Sequence, residues 1–258
     1  MNIIVWDKNW ELLQATRDDL KSHIGKGFCL IQQCVDITNR NDIEKASIDL
    51  HKALSDGQIC GVSVIVNNAG IVYDHPMDSC NMDEVDNVFA VNTLSQFSVI
   101  QSFLPDLMDQ KVSNIVNMSS LIALIPASRL SPYSASKAAV KAMSDCLRIE
   151  LKSTNRDYIH VTTILPQFIG TGMFRGALSH NCLGHTLKNW FFPENSPEEI
   201  ANEIVYAITY EKDEIILPRI VGLGLPFLSL LPHVITDYIF MFAGGKDGMD
   251  GFEGRGKE

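Results

Sequence analysis

Short apolar, β-branched runs alternate with amphipathic stretches along this chain, and few folds accept that alternation. Ile3 to Trp6 is followed by a helical pattern from about Trp10 to Ile24. Phe28 to Val35 is strand-like, and Asn39 to Leu54 reads as a helix opened by a capping residue. Val62 to Val66 ends abruptly in Asn67-Asn68-Ala69-Gly70. A long amphipathic stretch, Asp83 to Asp109, precedes the buried run Asn114 to Met118. A helix from Tyr133 to about Lys152, a strand at Ile159 to Leu165, a helix opened by Ser196-Pro197-Glu198-Glu199 and a strand at Glu214 to Leu217 complete the pattern. Buried strands that alternate with helices require parallel βαβ units, because only crossover helices cover both faces of such a sheet. No repeat and no linker divides residues 1–258, so one doubly wound α/β domain is expected.

Charge removes one class of function. Lys and Arg total 21 against 31 Asp and Glu, a net charge of -10, and no basic run offers a face to nucleic acid. The six cysteines, at 29, 34, 60, 80, 146 and 182, form no CxxC pair and no Cys/His cluster with zinc spacing. They read as buried free thiols in a reducing compartment, and no metal site is expected. The sequon Asn117-Met118-Ser119 lies in a core-strand run, a poor place for a glycan, and the N-terminus has no signal-peptide pattern.

Chemistry concentrates around Tyr133-Ser134-Ala135-Ser136-Lys137. Tyr133 and Lys137 are four apart and share a helix face. A free phenol, with a pKa of about 10, is a poor base at neutral pH, whereas a nearby ammonium favours the phenolate. Ser120 ends a buried strand thirteen residues upstream, at the sheet edge where open α/β folds hold ligands. Asn67-Asn68-Ala69-Gly70 ends another strand at that edge, with Asn92 on the following helix.

On these residues the chain resembles the short-chain dehydrogenase/reductase family. The resemblance implies a Rossmann-like doubly wound parallel sheet with helices on both faces. It makes Tyr133 the general acid/base and Ser120 the group that orients the substrate oxygen. Lys137 would hold the nicotinamide ribose and lower the tyrosine pKa, and Asn92 would complete a proton relay. The cofactor implied is NAD. Asp7 would accept hydrogen bonds from the adenosine ribose hydroxyls and repel the 2′-phosphate of NADP, which argues against the alternative of an NADPH-dependent carbonyl reductase. Asp36 and Ile37 would contact adenine, Asn68, Ala69 and Gly70 would line the adenosine side, and Pro166, Ile169 and Thr171 would lie in the loop that holds the nicotinamide amide. Gln167 stands where the family usually has Gly.

The family's Gly-rich turn, which brings backbone N–H groups to the pyrophosphate, is not found. Gly25-Lys26-Gly27 follows a helix and precedes a strand, the reverse of the required context, and reads as a helix C-cap. The first strand and helix are therefore expected to be missing, a loss of about 30 to 40 residues. The chain reads as truncated relative to a working enzyme, with the Ile3–Trp6 strand left without its partner at Val62–Val66. A catalytically inactive, membrane- or droplet-associated interaction protein is the second reading that follows.

Thr171-Gly172-Met173-Phe174-Arg175-Gly176, Leu217-Pro218-Arg219 and Met249-Asp250-Gly251-Phe252 resemble the branch that holds retinol dehydrogenase 10, epidermal retinol dehydrogenase 2 and 17-beta-hydroxysteroid dehydrogenase 11. That resemblance implies a lipophilic, retinol- or steroid-like substrate and a place on the endoplasmic reticulum membrane or lipid droplet, cytoplasmic face. It also implies a homodimer built on the two long helices, Asp83–Asp109 and Tyr133–Lys152. The branch's hydrophobic anchor would lie upstream of Met1. Residues 172–195, with His180 and His185, would form a lid over the substrate. The apolar segment 215–245 is broken by Pro226 and Pro232 and is shorter than the about 20 residues a span needs. It reads as a substrate-pocket wall or a membrane-surface contact.

Overall fold

A computed structural model describes residues 2–23, 29–57, 61–167, 195–228 and 230–241, with Met249 and Phe252; the side chains of residues 21–23 are outside that description. Among the described residues, six strands lie parallel to their neighbours, with helices between them in sequence. Strand β1 (Ile3–Asp7) leads through α1 (Trp10–His23) to β2 (Leu30–Cys34). Helix α2 (Arg40–Ser55) then crosses to β3 (Val64–Asn67). Helices α3 (Met82–Phe89) and α4 (Ser95–Met108) precede β4 (Ser113–Met118), and α5 (Ser131–Ser153) joins β4 to β5 (Ile159–Leu165). Next come α6 (Pro197–Thr209), β6 (Glu214–Ile216), α7 (Arg219–Leu228) and α8 (His233–Phe240).

Local chemistry sets the helix starts. The Asn39 side chain accepts from the Asn41 N–H at 3.0 Å and opens α2, which buries Ile43, Ala46, Ser47 and Leu50 along one stripe. At α6, Ser196 Oγ accepts from Glu199 N at 3.1 Å while Ser196 N donates to Glu199 Oε2 at 2.9 Å, a reciprocal box with Pro197 behind the cap.

Alternate side chains of the central strands feed two cores. Ile115, Ile159 and Val161 point into a core shared with α2, α4 and α5, while Val116, Met118 and Ile164 meet α6 on the opposite face. Helices therefore cover both faces, as the doubly wound reading requires.

The strands form two sheets. Among the described residues β1 pairs only with β2, in register from Ile3–Leu30 to Asp7–Cys34, while β3, β4, β5 and β6 form a separate four-stranded sheet in that order. The expected break between Ile3–Trp6 and Val62–Val66 is present. α2 and α4 bridge it on one side, where Trp6 meets Phe103 with ring centroids 5.5 Å apart. On the other face of β3, Val64 and Val66 stay 40% and 43% exposed.

Two expectations need correction. Cys29 and Cys80 are only half-buried and Cys34 and Cys146 are exposed, so these four thiols are free but not core residues. They fall at strand ends, in a loop and on an outer helix face, where burial is partial. Cys60 and Cys182 lie outside the described residues, as does Gly25-Lys26-Gly27. The helix expected over Asp83–Asp109 is interrupted by a π-helical turn, Ala90–Leu94. Among the described residues no helix is long and apolar enough to cross a membrane.

Candidate active site

The carboxyl ends of β3, β4 and β5 converge on the first turns of α5, and polar side chains gather there. Tyr133 and Lys137 stand one turn apart near the start of α5, both buried. The Lys137 ammonium nitrogen lies 5.8 Å from the centre of the Tyr133 ring and donates to the Met118 carbonyl of β4 at 2.7 Å. Ser119 Oγ donates to the Lys137 carbonyl at 2.8 Å, so the end of β4 and the second turn of α5 hold each other twice. Ser120 caps a short 3-10 turn, Leu121–Ala123, accepts from Ile122 N at 3.3 Å and is hydrogen-bonded to Tyr133.

Asn92 is fully buried in the π-helical turn. Its Oδ1 accepts from Ile71 N at 2.8 Å, and its Nδ2 donates to Ile71 O and to Ser136 Oγ, each at 3.0 Å. Asn92 thus ties the loop after Gly70 to the Tyr133 helix, and its side-chain amide is occupied in doing so. The widened turn leaves carbonyls that side chains take up: Ser95 Oγ donates to Val91 O at 2.7 Å and Gln96 Nε2 to Asn92 O at 2.8 Å.

Burial dominates the electrostatics. It pushes the Tyr133 phenol up to about 12, with the Ser120 hydrogen bond pulling the other way, and pushes Lys137 down to about 8. The expectation that Lys137 would leave Tyr133 below its ordinary value does not hold in this structure. Desolvation of the phenolate outweighs the Ser120 hydrogen bond, and the Lys137 ammonium donates to the Met118 carbonyl instead.

The predicted cofactor residues divide between the two sheets. Asp7 is exposed at the end of β1, where its carboxylate accepts from Asn9 N at 2.8 Å. Asp36 follows β2 and accepts from Thr38 N and Thr38 Oγ1 at 2.9 and 2.7 Å, which holds its carboxyl below the usual range. Ile37 packs at the margin of the main core. Asn68 and Ala69 are exposed and Gly70 half-buried beyond β3. Pro166 ends β5, and its carbonyl accepts from Leu121 N at 2.8 Å and Ser120 Oγ at 3.4 Å. Gln167 N donates to Leu217 O at 3.1 Å, while Gln167 Oε1 is buried without a partner. Ile169, Thr171, His180 and His185 lie outside the described residues. The acceptors present suit a dinucleotide: two strand-end carboxylates for hydroxyls, and the orphaned Gln167 Oε1 at Tyr133's edge of the sheet for an amide N–H.

Contacts that no motif foretold complete the site. Asn67 Nδ2 donates to Asn117 Oδ1 at 2.8 Å, and Asn117 Nδ2 to Ser144 Oγ at 2.9 Å, a buried polar chain through β3, β4 and α5. The sequence signal was an Asn in each of two apolar strand runs. Leu130 and Met249 pack with Tyr133, and Val72, Ile122, Ala127 and Phe252 surround them, giving the phenol apolar walls. Among the described residues no group of His, Cys, Asp and Glu could hold a metal ion.

A parallel sheet wound on both faces, with Ser, Tyr and Lys at its carboxyl edge, defines a nucleotide-dependent oxidoreductase class of fold. The short chain dehydrogenase family profile matches residues 1–181, and the chain belongs to that family, whose members use NAD(P). It is 28% identical over 235 residues to estradiol 17-beta-dehydrogenase 11 of Pongo abelii, covering 91% of this chain and 71% of that protein. It is 30% identical over 183 residues to retinol dehydrogenase 10 of Homo sapiens, covering 71% of this chain and 52% of that protein, about half its length. A short-chain dehydrogenase/reductase from Burkholderia phymatum, solved in complex with NAD, shares the fold at TM-score 0.73 and 18% identity, over 88% of this chain and 83% of its own.

Proposed function

We propose that the protein is an NAD-dependent oxidoreductase that interconverts a lipophilic, retinol- or steroid-like alcohol and its carbonyl form. The observation that carries this reading is Tyr133, buried among Leu130, Val72, Ile122, Met249 and Phe252, hydrogen-bonded to Ser120 and one helical turn from Lys137. Apolar walls favour an apolar substrate body, because matching surface leaves water on both sides. The names of relatives, estradiol and retinol dehydrogenases, point to the same substrate class.

Ser120 and Tyr133 together would grip the substrate oxygen. Tyr133 takes the hydroxyl proton on oxidation or returns it on reduction. Lys137, as the ammonium, stabilises the phenolate. Asn92 acts by holding the Ile71 loop against Ser136, and so positions the Tyr133 turn. Asp7, Asp36, the Asn68–Gly70 backbone, Lys137, Pro166 and the Gln167 amide would hold the dinucleotide. When bound, its nicotinamide supplies or accepts the hydride. The proposed place of action is the cytoplasmic face of the endoplasmic reticulum or of lipid droplets, where such substrates partition.

The test has two parts. NADH titrated into the protein should give a saturable fluorescence change, with NADPH weaker because Asp7 meets its 2′-phosphate. Retinol or estradiol with NAD should give turnover that Tyr133→Phe abolishes while the circular dichroism spectrum stays unchanged. Unaltered turnover in Tyr133→Phe would sink the assignment. Absence of saturable NADH binding by folded protein would instead favour a non-catalytic interaction protein.

A further inference from the structure

Tyr133 is only 4% exposed, yet a substrate oxygen must reach its hydroxyl for the site to work. One of the walls around it must therefore give way, and the bonds on each wall decide which. Ile71, next to Val72, is held through both its N–H and its carbonyl by Asn92, and Asp74 beyond it is clamped by Arg129. Ile122 donates its N–H to Ser120 Oγ at 3.3 Å, and its carbonyl accepts from Ser134 Oγ at 2.7 Å. Leu130 stands at the start of α5, its carbonyl accepting from Ser134 N at 2.7 Å. Moving any of these walls leaves buried polar groups without partners.

Met249 and Phe252 are the exception. Met249 is 3% exposed and packs with Leu130 and Tyr133, and Phe252 lies against the same cluster. Phe252 N donates to Met249 O at 3.0 Å, which folds the two back on each other. Among the described residues, no hydrogen bond or ion pair joins either of them to Val72, Ile122, Ala127 or Leu130. Apolar contact holds them there. Such contact is non-directional, so an apolar molecule can take it over and leave no polar group unpaired.

The residue types suit that exchange. Methionine, unbranched and with three rotatable bonds, fills an irregular gap without a fixed geometry to break on leaving. Both residues belong to Met249-Asp250-Gly251-Phe252, a motif that neither the proton chemistry nor the cofactor residues account for.

We propose that Met249 and Phe252 form a built-in plug at the apolar end of the candidate site, which the substrate's apolar body displaces to bring its oxygen to Tyr133 and Ser120. The inference rests on the proposed lipophilic-alcohol reading and adds a gate to it. A small polar alcohol cannot replace the apolar surface that the plug buries, so the gate selects lipophilic bodies. The site stands open for a fraction of the time, and apparent substrate affinity is reduced by that fraction. A fixed wall makes the opposite prediction, because its removal takes contact away from the substrate.

Two readouts on the full chain, neither of them turnover, test the plug. The first is tyrosine nitration by tetranitromethane, mapped by mass spectrometry. In wild type Tyr133 should react far more slowly than Tyr210 and Tyr238, which are 61% and 68% exposed. Met249→Ala should speed Tyr133 nitration at least about fivefold, because the phenol is then reachable more often. Phe252→Ala, at a half-buried position where folding is perturbed less, should act in the same direction. Met249→Leu, which keeps the volume, should react as wild type. Tyr158, half-buried and bonded to Met108 O at 3.1 Å, reports any loosening of the whole fold and should be unchanged throughout.

The second readout is retinol binding, followed by the fluorescence of retinol itself. Met249→Ala should bind it at least about threefold tighter than wild type. Weaker binding by Met249→Ala makes Met249 a fixed wall and overturns the proposal. So does Tyr133 nitration that stays at the wild-type rate in both alanine variants, or that rises only together with Tyr158. If neither protein binds retinol while Tyr133 is selectively uncovered, the plug stands and the retinol-like substrate reading falls.

Discussion

Lys137 donates its ammonium hydrogen bond to the Met118 carbonyl at 2.7 Å while its nitrogen lies 5.8 Å from the Tyr133 ring centre. Two ionisable groups are thereby buried side by side, one held off its phenolate form and the other off its ammonium form.

The stability consequence is signed. Lys137 falls to about 8 in the folded chain from 10.5, so between those values the unfolded chain binds more protons and stability rises with pH. Tyr133 is raised to about 12 from 10.0, so between those values the folded chain holds the extra proton and stability falls as pH rises. Lys137→Met should remove the rise between pH 8 and 10.5 and stabilise the protein at pH 7 by about 1–3 kcal/mol, since an unpaired buried charge goes. Tyr133→Phe should remove the decline above pH 10. Urea melts of the three proteins across that range measure both effects, and a Lys137→Met protein weaker than wild type at pH 7 would contradict the argument.

The rate consequence follows from the same pair. Alcohol oxidation needs the phenolate together with the ammonium, and below about pH 8 that combination grows tenfold per pH unit. Above pH 8, further phenolate formation is offset by loss of the ammonium. On the proposed function, kcat/KM for oxidation should climb with unit slope to about pH 8 and then level. For carbonyl reduction, which uses the neutral phenol and the ammonium, it should be flat below pH 8 and fall above it. A reduction profile that rises with pH would rule out Tyr133 as the acid.

Asn117 sits fully buried between Asn67 and Ser144, accepting from one and donating to the other. Replacing it with Leu keeps the volume but leaves the Asn67 amide and the Ser144 hydroxyl without their partner. The expected loss is about 2–4 kcal/mol in denaturant unfolding. N67V/N117L should recover part of that loss, because one orphaned donor is then removed. Equal stability of Asn117→Leu and wild type would mean that the chain of three contributes nothing.

Much of this was readable in advance, for a physical reason. Strands β4 and β5 are buried on both faces, so their apolar runs announce themselves, and the caps at Asn39 and Ser196 act through neighbours in sequence. The break between β1 and β3 followed from the resemblance, because the family's strand order sets another strand between these two. Interactions made at long range were not. Nothing in Ala90–Leu94 breaks a helix by propensity; the π-helical turn accompanies Asn92's bonds to Ile71 and Ser136, 21 and 44 residues away. The sign of the Tyr133 shift depends on how completely Leu130, Met249 and their neighbours exclude water, which spacing along a helix cannot reveal.

Arg129 offers the last test, because it combines two opposing effects. Its Nε and Nη2 donate to Asp74 at 2.8 and 2.7 Å, and the Asp74 side chain is only 6% exposed. His75 N also donates to Arg129 O at 3.2 Å, so the pair fastens the loop beyond β3 to the approach of α5. Removing the guanidinium leaves a buried carboxylate without its cation, at a cost of about 2–4 kcal/mol, moderated because Arg129 itself is 35% exposed. Arg129 also has φ of 70°, the left-handed region that a side chain disfavours. Arg129→Gly and Arg129→Ala both lose the pair, but only glycine is relieved of the conformational cost. Arg129→Gly should therefore be the more stable of the two by about 0.5–1 kcal/mol, where an exposed helix or strand position would show the reverse order. Thermal melts of the two variants decide it. If Arg129→Ala proves the more stable, then either the left-handed turn is abandoned once the pair is gone or it was never required to bring the Asp74 loop to the Tyr133 helix.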